Sequence, residues 1–198
     1  MIANMTSRNT TVLAGIDFNA PSFVVAPQLI GTTVLVNGAG GRIVEVEAYD
    51  RDDPASHTYG GPSARNAAMF GPPAHAYVYL SHGIHWCLNF VCQEEGHGAG
   101  VLIRAIEPLR GLEAMRVRRG QLDERMLCSG PGKLCQAMAV TREHNGLSLA
   151  GAPFALAARD PAVEVAVVAG PRIGISKAVE VPWRFGEAGS RFLSRPFR

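Results

Sequence analysis

The sequence has no apolar run long enough to cross a membrane. No stretch approaches the roughly 18–20 consecutive apolar residues that a transmembrane helix needs. Residues 1–15 also lack the basic start and the apolar segment of a secretory signal. We therefore expect a cytoplasmic protein that is not associated with a membrane.

Cysteine is scarce, and its spacing excludes the common cysteine-based sites. The chain contains four cysteines: Cys87, Cys92, Cys128 and Cys135. They form no CxxC pair, and no pair of histidines lies at zinc-finger distance from them. A disulfide framework is not expected in a chain of this size and compartment. We expect four buried thiols and no metal site.

Lysine is rarer still, because only Lys133 and Lys177 among the 19 basic residues are lysines. Residues 1–100 hold four arginines and eight acids (−4), whereas residues 101–142 hold eight basic and four acidic residues (+4). Residues 171–198 hold six basic and two acidic residues (+4). Since arginine matches phosphate oxygens well, a basic face in the C-terminal half would suit nucleic acid. The same distribution also fits an ordinary solvated surface.

The remaining composition is that of an ordered globular protein. With 198 residues, 47% of them hydrophobic and 18% charged, the chain is long enough to bury one core. We expect an arm at residues 1–20 and a single domain at residues 21–198. The long polar stretch at residues 50–73 has little periodicity, and such a loop is usually functional or mobile.

Periodicity and turn residues predict an α+β fold with a mixed, mostly antiparallel sheet. The predicted helices span residues 24–31, 109–119 and 131–139. The predicted strands span residues 32–37, 42–49, 77–80, 86–91, 101–106, 147–158, 163–169, 172–176 and 183–185.

Two carboxylates and an aromatic ring fall on one face of the strand at residues 42–49. A period of two places Glu45, Glu47 and Tyr49 on the same side. A buried Glu47 would need a partner to offset its desolvation, and Arg104, inside a second apolar strand, is a natural one. Such a pair, near Tyr49 and His57, could orient and deprotonate a water. A purely structural ion pair fits the pattern equally well.

An ordered series of segments then points to one family. The segments are RIVEVEAY (42–49), ASH (55–57), RN (65–66), MF (69–70), YVY (77–79), Gly83, CLN (87–89), VLIRAIEP (101–108) and LCSGPGKLCQ (127–136). Over roughly residues 20–185 the series closely resembles the alkyladenine (3-methyladenine) DNA glycosylases of the methylpurine type, which are distinct from the helix-hairpin-helix glycosylases.

The resemblance implies a curved antiparallel sheet with surrounding helices, and an enzyme that hydrolyses the N-glycosidic bond of a damaged purine flipped from duplex DNA. It implies that Glu47 is the general base, that Arg104 helps to hold the attacking water, and that Asn89 screens purines at the pocket floor. The base would lie between Tyr49, His57 and Tyr79. The expected lesions are 3-methyladenine, 7-methylguanine, hypoxanthine and ethenoadenine.

The resemblance further implies a monomer that starts base excision repair in the cytoplasm, close to the nucleoid, without a cofactor. It also implies no strand cleavage, because a lyase usually attacks with an amine through a Schiff base, and neither of the two lysines lies near Glu47 in sequence.

The chain departs from the family pattern at the wedge that fills the gap left by the flipped nucleotide. The best-known members carry a tyrosine where this chain has His82. An imidazole is smaller and can be protonated, so we expect it to fill the gap less completely while attracting nearby phosphates. Met69 and His85 are the other expected DNA contacts.

Two alternatives to this enzyme remain at the level of sequence. The first is a protein that binds lesions without excising them. The His82 change would favour it, whereas the presence of Glu47 and Arg104 argues against it, because binding alone needs neither residue. The second is a hydrolase of free nucleosides on the same scaffold, which would show little salt dependence.

Overall fold

The computed structural model describes residues 12–197, and its architecture is α+β, as predicted. Most of the predicted N-terminal arm, residues 1–11, lies outside the described residues. The rest of the arm forms a small hairpin of β1 (Val12–Leu13) and β2 (Ile16–Asp17). Because Ile16 and Phe18 are buried in the main core, this end of the arm packs against the domain.

Eight antiparallel strands form one curled sheet that resembles half of a barrel. Its order is β5-β6-β7-β4-β10-β9, and β3 pairs with both β4 and β8. The strands are β3 (Thr33–Val36), β4 (Ala39–Tyr49), β5 (Ala76–Ser81), β6 (His85–Cys92), β7 (Ala99–Arg110), β8 (Phe154–Ala157), β9 (Val167–Gly170) and β10 (Arg184–Glu187). Every pair in the sheet is antiparallel.

The central pair of strands, β4 and β7, carries the curvature. The register of this pair shifts on both sides of Glu45, once between Ile43 and Glu45 and once between Glu45 and Val46. Such irregularities bend a strand and increase its twist. At the start of β4 the two backbones approach closely, since a Cβ on Gly41 would lie 1.8 Å from the carbonyl oxygen of Glu107. Only glycine fits at that position.

Four short helices cover the sheet: α1 (Ser22–Leu29), α2 (Leu112–Arg119), α3 (Glu124–Leu127) and α4 (Pro131–Met138). Two 3₁₀ turns occur at Ala67–Phe70 and Arg142–His144. Helix α4 begins with Pro131 at its first turn, a position where the missing amide costs nothing. It buries Leu134, Cys135, Ala137 and Met138 in the main core.

Several predicted boundaries are wrong, each because a tertiary contact overrides the local pattern. The helix predicted from residue 109 begins at Leu112, because β7 continues to Arg110 opposite Gly40. Of the strand predicted at residues 147–158 only β8 forms. The backbone before it is used differently, since the Leu147 carbonyl accepts from the Ala76 amide and the Leu149 amide donates to the Ala74 carbonyl.

Residues 172–176 form a loop and no strand, although they alternate in polarity. Helix α3 and both 3₁₀ turns were not predicted. The 3₁₀ turn at Ala67–Phe70 shows that the long polar stretch at residues 50–73 is folded into compact turns. It supplies part of the pocket wall.

The four cysteines are free and buried, as predicted. Between residues 12 and 197, no helix is long and apolar enough to span a bilayer. In the same part of the chain no group of three or more His, Cys, Asp or Glu side chains could hold a metal ion.

Candidate active site

A pocket of about 450 Å³ opens where β5, β6 and β7 face two loops, residues 50–66 and 171–178. It brings together most of the residues that the sequence singled out. Its lining residues are Tyr49, Ala55, His57, Met69, Tyr77, Tyr79, Ser81, His82, Cys87, Asn89, Leu102, Arg104, Pro131, Ile173, Gly174 and Ile175.

Glu47 lies directly behind this lining, with a side chain that is 0% exposed. Its Oε2 accepts hydrogen bonds from the Tyr49 hydroxyl at 2.9 Å and from Arg104 Nη1 at 3.1 Å. Its Oε1 accepts one from the backbone amide of Ile173 at 2.7 Å. All three donor residues line the pocket, so the carboxylate is held against the pocket without being open to bulk water.

These contacts leave the Glu47 carboxylate one unused acceptor position. A carboxylate offers about four lone-pair positions, two on each oxygen. Oε2 uses two of them for Tyr49 and Arg104, whereas Oε1 uses one for Ile173. The arrangement can therefore hold one more donor on Oε1, such as a water molecule, and can accept its proton.

Arg104 connects two buried carboxylates. Its Nε donates to Glu45 Oε1 at 3.1 Å while its Nη1 donates to Glu47, which confirms the predicted pairing of Glu47 with Arg104 across the two central strands. Burial alone would lower the pKa of Arg104, but the charges of Glu47 and Glu45 outweigh it and raise that pKa. Arg104 is therefore a permanent cation between two anions.

Glu45 anchors the other end of this network. Arg184 Nε donates to its Oε1 at 2.8 Å, as does the Ser194 hydroxyl, also at 2.8 Å, and the Ser194 backbone amide donates to Oε2 at 2.5 Å. The sheet and the C-terminal segment thus hold one end of the network that orients Glu47.

Stacked aromatic rings form one wall of the pocket. Tyr77 and Tyr79 lie 5.4 Å apart between ring centroids at 22°, and His57 meets Tyr79 edge-on at 4.5 Å. His57 Nδ1 lies 3.2 Å from the Tyr77 hydroxyl. Tyr77 belongs to the segment YVY (77–79) that resembles the family, but it was not named from the sequence as a site residue.

Desolvation sets the charge of this wall. Burial raises the pKa of Tyr77 to about 12 and that of Tyr79 further. Burial, with the charge of Glu47, also raises the pKa of Tyr49, which keeps its hydroxyl a donor to Glu47. Partial burial and the positive charge of Arg65 lower the pKa of His57 below 6.5. All four rings are neutral at pH 7.

Asn89 lies on β6 and lines the pocket while being only 3% exposed. Its Nδ2 donates to the Tyr77 carbonyl at 3.2 Å, which fixes the amide plane. The structure thus places Asn89 against the same wall as the stacked tyrosines.

The hairpin between β5 and β6 forms the rim. His82 and Gly83 both have positive φ angles, +50° and +71°, as in the tight turns that hairpins favour. His82 is exposed and touches the pocket, and Ile84 beside it is 70% exposed. Sequence reasoning did not single out Ile84, although a large apolar residue in a polar turn was the available signal.

Met69 and His85 lie apart from each other. Met69 is 2% exposed inside the pocket, so it can reach only a group that enters the pocket. His85 is exposed beside the hairpin and does not line the pocket. It packs on helix α4, where a Cβ on Gly132 would lie 2.8 Å from the His85 ring.

The basic C-terminal half is less available to a ligand than its charge indicated. Arg104, Arg172 and Arg184 are each less than 8% exposed and bind buried acids. Part of the charge excess therefore belongs to the interior, where it neutralises Glu45, Glu47 and Asp53.

The pocket thus places stacked aromatic side chains beside a buried carboxylate. A family profile described as methylpurine-DNA glycosylase matches residues 16–191. A protein of Nitrosospira multiformis named "Putative 3-methyladenine DNA glycosylase" is 67% identical over 183 residues, 92% of this chain and 94% of that one.

Two further relatives bear the same name. One, from Rhodopseudomonas palustris strain BisB18, is 64% identical over 173 residues, 87% of this chain and 86% of its own. Another, from Rhizobium meliloti, is 58% identical over 183 residues, 92% of this chain and 96% of its own. The chain belongs to the methylpurine-DNA glycosylase family, as the sequence segments indicated. It is a DNA glycosylase, a hydrolase of DNA repair whose substrate is DNA.

Proposed function

We propose that the protein excises damaged purines from duplex DNA by hydrolysis, with Glu47 as general base. The observation that carries this proposal is the state of the Glu47 carboxylate. It is fully buried behind the pocket, held by three donors, and left with one acceptor position for a water.

In the proposed step, Glu47 Oε1 takes a proton from a water whose oxygen attacks C1′ of the lesion nucleotide. The new C1′–O bond forms while the bond from C1′ to the purine nitrogen breaks, and its electron pair leaves with the base. An alkylated purine that carries a positive charge is neutralised by that electron pair, so it leaves readily. Arg104 holds the carboxylate that receives the proton and so keeps the base catalyst in place.

The proposed substrate is a nucleotide flipped out of the duplex. Its base would lie against Tyr79, His57 and Tyr49, since neutral rings attract a cationic purine through their faces. Asn89 would disfavour the extra amino group of guanine. The candidate lesions are 3-methyladenine, 7-methylguanine, hypoxanthine and ethenoadenine.

The hairpin would occupy the space that the flipped nucleotide leaves, with His82 as the wedge. Its exposure at the mouth of the pocket supports this role. Met69 would touch the flipped nucleotide inside the pocket, and His85 would contact the DNA beside the hairpin. We propose that the protein acts as a monomer in the cytoplasm, close to the nucleoid.

We further propose that the enzyme does not cut the DNA strand. A lyase needs an amine within reach of C1′, and neither Lys133 nor Lys177 lines the pocket. Borohydride should trap no covalent DNA adduct on Lys133 or Lys177, and a trapped adduct on either would overturn this part of the proposal.

The test uses purified protein and duplexes that carry a single hypoxanthine, ethenoadenine or 7-methylguanine. Alkali then reveals abasic sites, and the Glu47→Gln variant controls for contaminating activity. Excision by the wild type alone supports the proposal. Tight lesion binding without excision by either protein would favour a lesion-binding protein. Activity on free nucleosides, unaffected by salt, would favour a nucleoside hydrolase.

A further inference from the structure

A second buried ion pair joins the two loops that flank the pocket. Asp53 lies in the loop at residues 50–66, and Arg172 is the second residue of the loop at residues 171–178. Their side chains are 2% and 0% exposed. Arg172 Nη2 donates to Asp53 Oδ1 at 3.1 Å, and Arg172 Nη1 donates to Asp53 Oδ2. The contact therefore uses both oxygens of the carboxylate.

On the arginine side, the pair is adjacent to the proposed general base. Arg172 Nη1 also donates to the Ala48 carbonyl at 3.0 Å, in the strand position between Glu47 and Tyr49. Its guanidinium lies 4.8 Å from the centre of the Tyr49 ring. The next residue in the chain, Ile173, donates its amide to Glu47 Oε1. The position of that amide thus follows the position of Arg172.

On the aspartate side, the pair supports the pocket wall. Asp53 Oδ1 accepts the backbone amide of Ala55 at 3.0 Å, and the Asp53 carbonyl accepts that of Ser56 at 2.9 Å. These bonds close the turn that leads to His57. Ala55 and His57 both line the pocket. The Asp53 carboxylate thus supports the aromatic wall through its own turn. Through Arg172 it also holds the loop at residues 171–178, whose Ile173 amide binds Glu47.

A buried ion pair is a poor source of net stability, because desolvation cancels most of the attraction. Its geometry is nevertheless strict, because two N–H groups of Arg172 bond the two oxygens of Asp53 side by side, which fixes both distance and orientation. Neither loop is paired with a strand at these positions, so bonds from side chains to backbone, such as Asn66 to the His57 carbonyl and Arg172 to the Ala48 carbonyl, hold them in place. Catalysis is sensitive to such fixation, because a misplacement of about 1 Å can cost roughly 100-fold in rate.

We propose that Asp53 and Arg172 are positioning residues, which hold the Ile173 amide on Glu47 and the His57 wall in a single arrangement. The proposal rests on the proposed function, since it concerns the same site. Neither residue touches the substrate, so their role is to fix the rate of the chemical step and leave DNA binding largely unchanged.

The test compares Asp53→Asn with Asp52→Asn, the same substitution at the neighbouring residue, whose side chain is 87% exposed. Asparagine at position 53 retains an oxygen for the Ala55 amide, but it removes the charge and replaces the oxygen that accepts from Arg172 Nη1 with an NH2 donor. Arg172→Lys is the second variant, since it keeps the buried positive charge but cannot make the forked contact with both oxygens of Asp53. Folding is checked by circular dichroism and thermal unfolding.

Three readouts are taken: the active fraction, the single-turnover excision rate constant at saturating enzyme, and the Kd for a duplex with a stable abasic-site analogue. We expect Asp53→Asn and Arg172→Lys to lower the rate constant about 10- to 100-fold. The Kd should stay within about threefold of the wild type, and Asp52→Asn should change neither value.

The pair has no positioning role if the rate constant, normalised to the active fraction, stays within twofold of the wild type in either folded variant. The same conclusion follows if rate and Kd change in parallel. If wild type and Asp52→Asn also fail to excise any lesion, the proposed function itself is wrong, which distinguishes the two failures.

Discussion

The pocket has two parts that are built in opposite ways: a buried floor, formed by Glu45, Glu47 and Arg104, and an exposed rim, formed by His82 and Ile84. On the floor, Glu45, Glu47 and Arg104 are between 0 and 7% exposed, and donors from several distant segments fix every carboxylate oxygen. On the rim, His82 and Ile84 are exposed, and one turn bond from the Ile84 amide to the Ser81 carbonyl closes the hairpin.

This contrast matches the two tasks that we propose for the site. The carboxylate of a general base must be held in place to within a fraction of an ångström, and burial with a hydrogen bond to each of its oxygens does this. A DNA wedge needs exposed area, and its contribution changes by degrees when the side chain changes. Under the proposed function, a histidine in place of a tyrosine should therefore be tolerated on the rim, whereas an equivalent change on the floor should not.

The largest expected effect is that of Arg104→Met. Losing this cation leaves Glu45 and Glu47 buried with fewer partners, which should cost about 3–5 kcal/mol in the free energy of unfolding. Excision should be lost as well. Urea unfolding measures the first effect and a single-turnover assay the second.

Arg42→Met is the matched control for that variant. Arg42 also binds two carboxylates, Glu107 at 2.6 Å and Glu187 at 2.5 Å, but its side chain is 27% exposed. The loss should be about 1 kcal/mol. Equal losses for the two arginines would show that burial does not distinguish the floor.

A smaller effect is expected from Tyr79→Leu on the aromatic wall. Loss of a ring against the base should lower the affinity for a lesion duplex by about 10- to 100-fold. Tyr59→Leu, at a residue that is 57% exposed, is the control and should leave the affinity unchanged. The Kd is measured by fluorescence anisotropy, and similar losses in both variants would contradict a stacking role for Tyr79.

On the rim, His82→Ala should weaken binding to the lesion duplex about tenfold. The single-turnover rate constant at saturating enzyme should change little, because the floor is untouched. His82→Tyr, which restores the larger ring, should bind more tightly than the wild type. If His82→Ala leaves binding and excision unchanged, His82 is not the wedge.

The smallest effect concerns pH and the charge of the bound base. Because burial and the charge of Arg65 lower the pKa of His57, the ring is neutral at pH 7 and gains its proton at a lower pH than an exposed histidine. That proton places a positive charge on the pocket wall, so affinity for cationic 7-methylguanine should fall as pH decreases, by about three- to tenfold. Affinity for neutral hypoxanthine should change less.

The pH measurement uses the Glu47→Gln background, in which the lesion is not excised. Adding His57→Gln should remove the difference between the two lesions. A difference that persists in the double variant would assign the pH dependence to another group.

The sequence predicted the floor better than the loops, for a physical reason. The period of two in β4 places Glu45, Glu47 and Tyr49 on one face, and an arginine inside an apolar strand needs an acid, so Arg104 could be paired with Glu47 in advance. The family segments supplied the aromatic wall and the proposed roles.

The other contacts of the floor carry no local signal. The Ile173 amide lies 126 residues from Glu47 in sequence, and Ser194 lies 149 residues from Glu45. Ile173 lies in residues 172–176, whose alternation predicted a strand that does not form, and Ser194 lies in a segment for which no element was predicted. Loop positions of this kind are set by tertiary contacts such as Asp53 with Arg172, which periodicity does not report.

The most direct test of the account is to measure both the single-turnover rate constant and the lesion Kd of Glu47→Gln on a hypoxanthine duplex. The account predicts that the rate constant of the variant is lowered by at least about 100-fold. It also predicts that the Kd of the variant for the hypoxanthine duplex is close to the Kd of the wild type for a duplex with an abasic-site analogue. Excision at the wild-type rate by Glu47→Gln would contradict it, because the buried carboxylate would then not be the base that activates water.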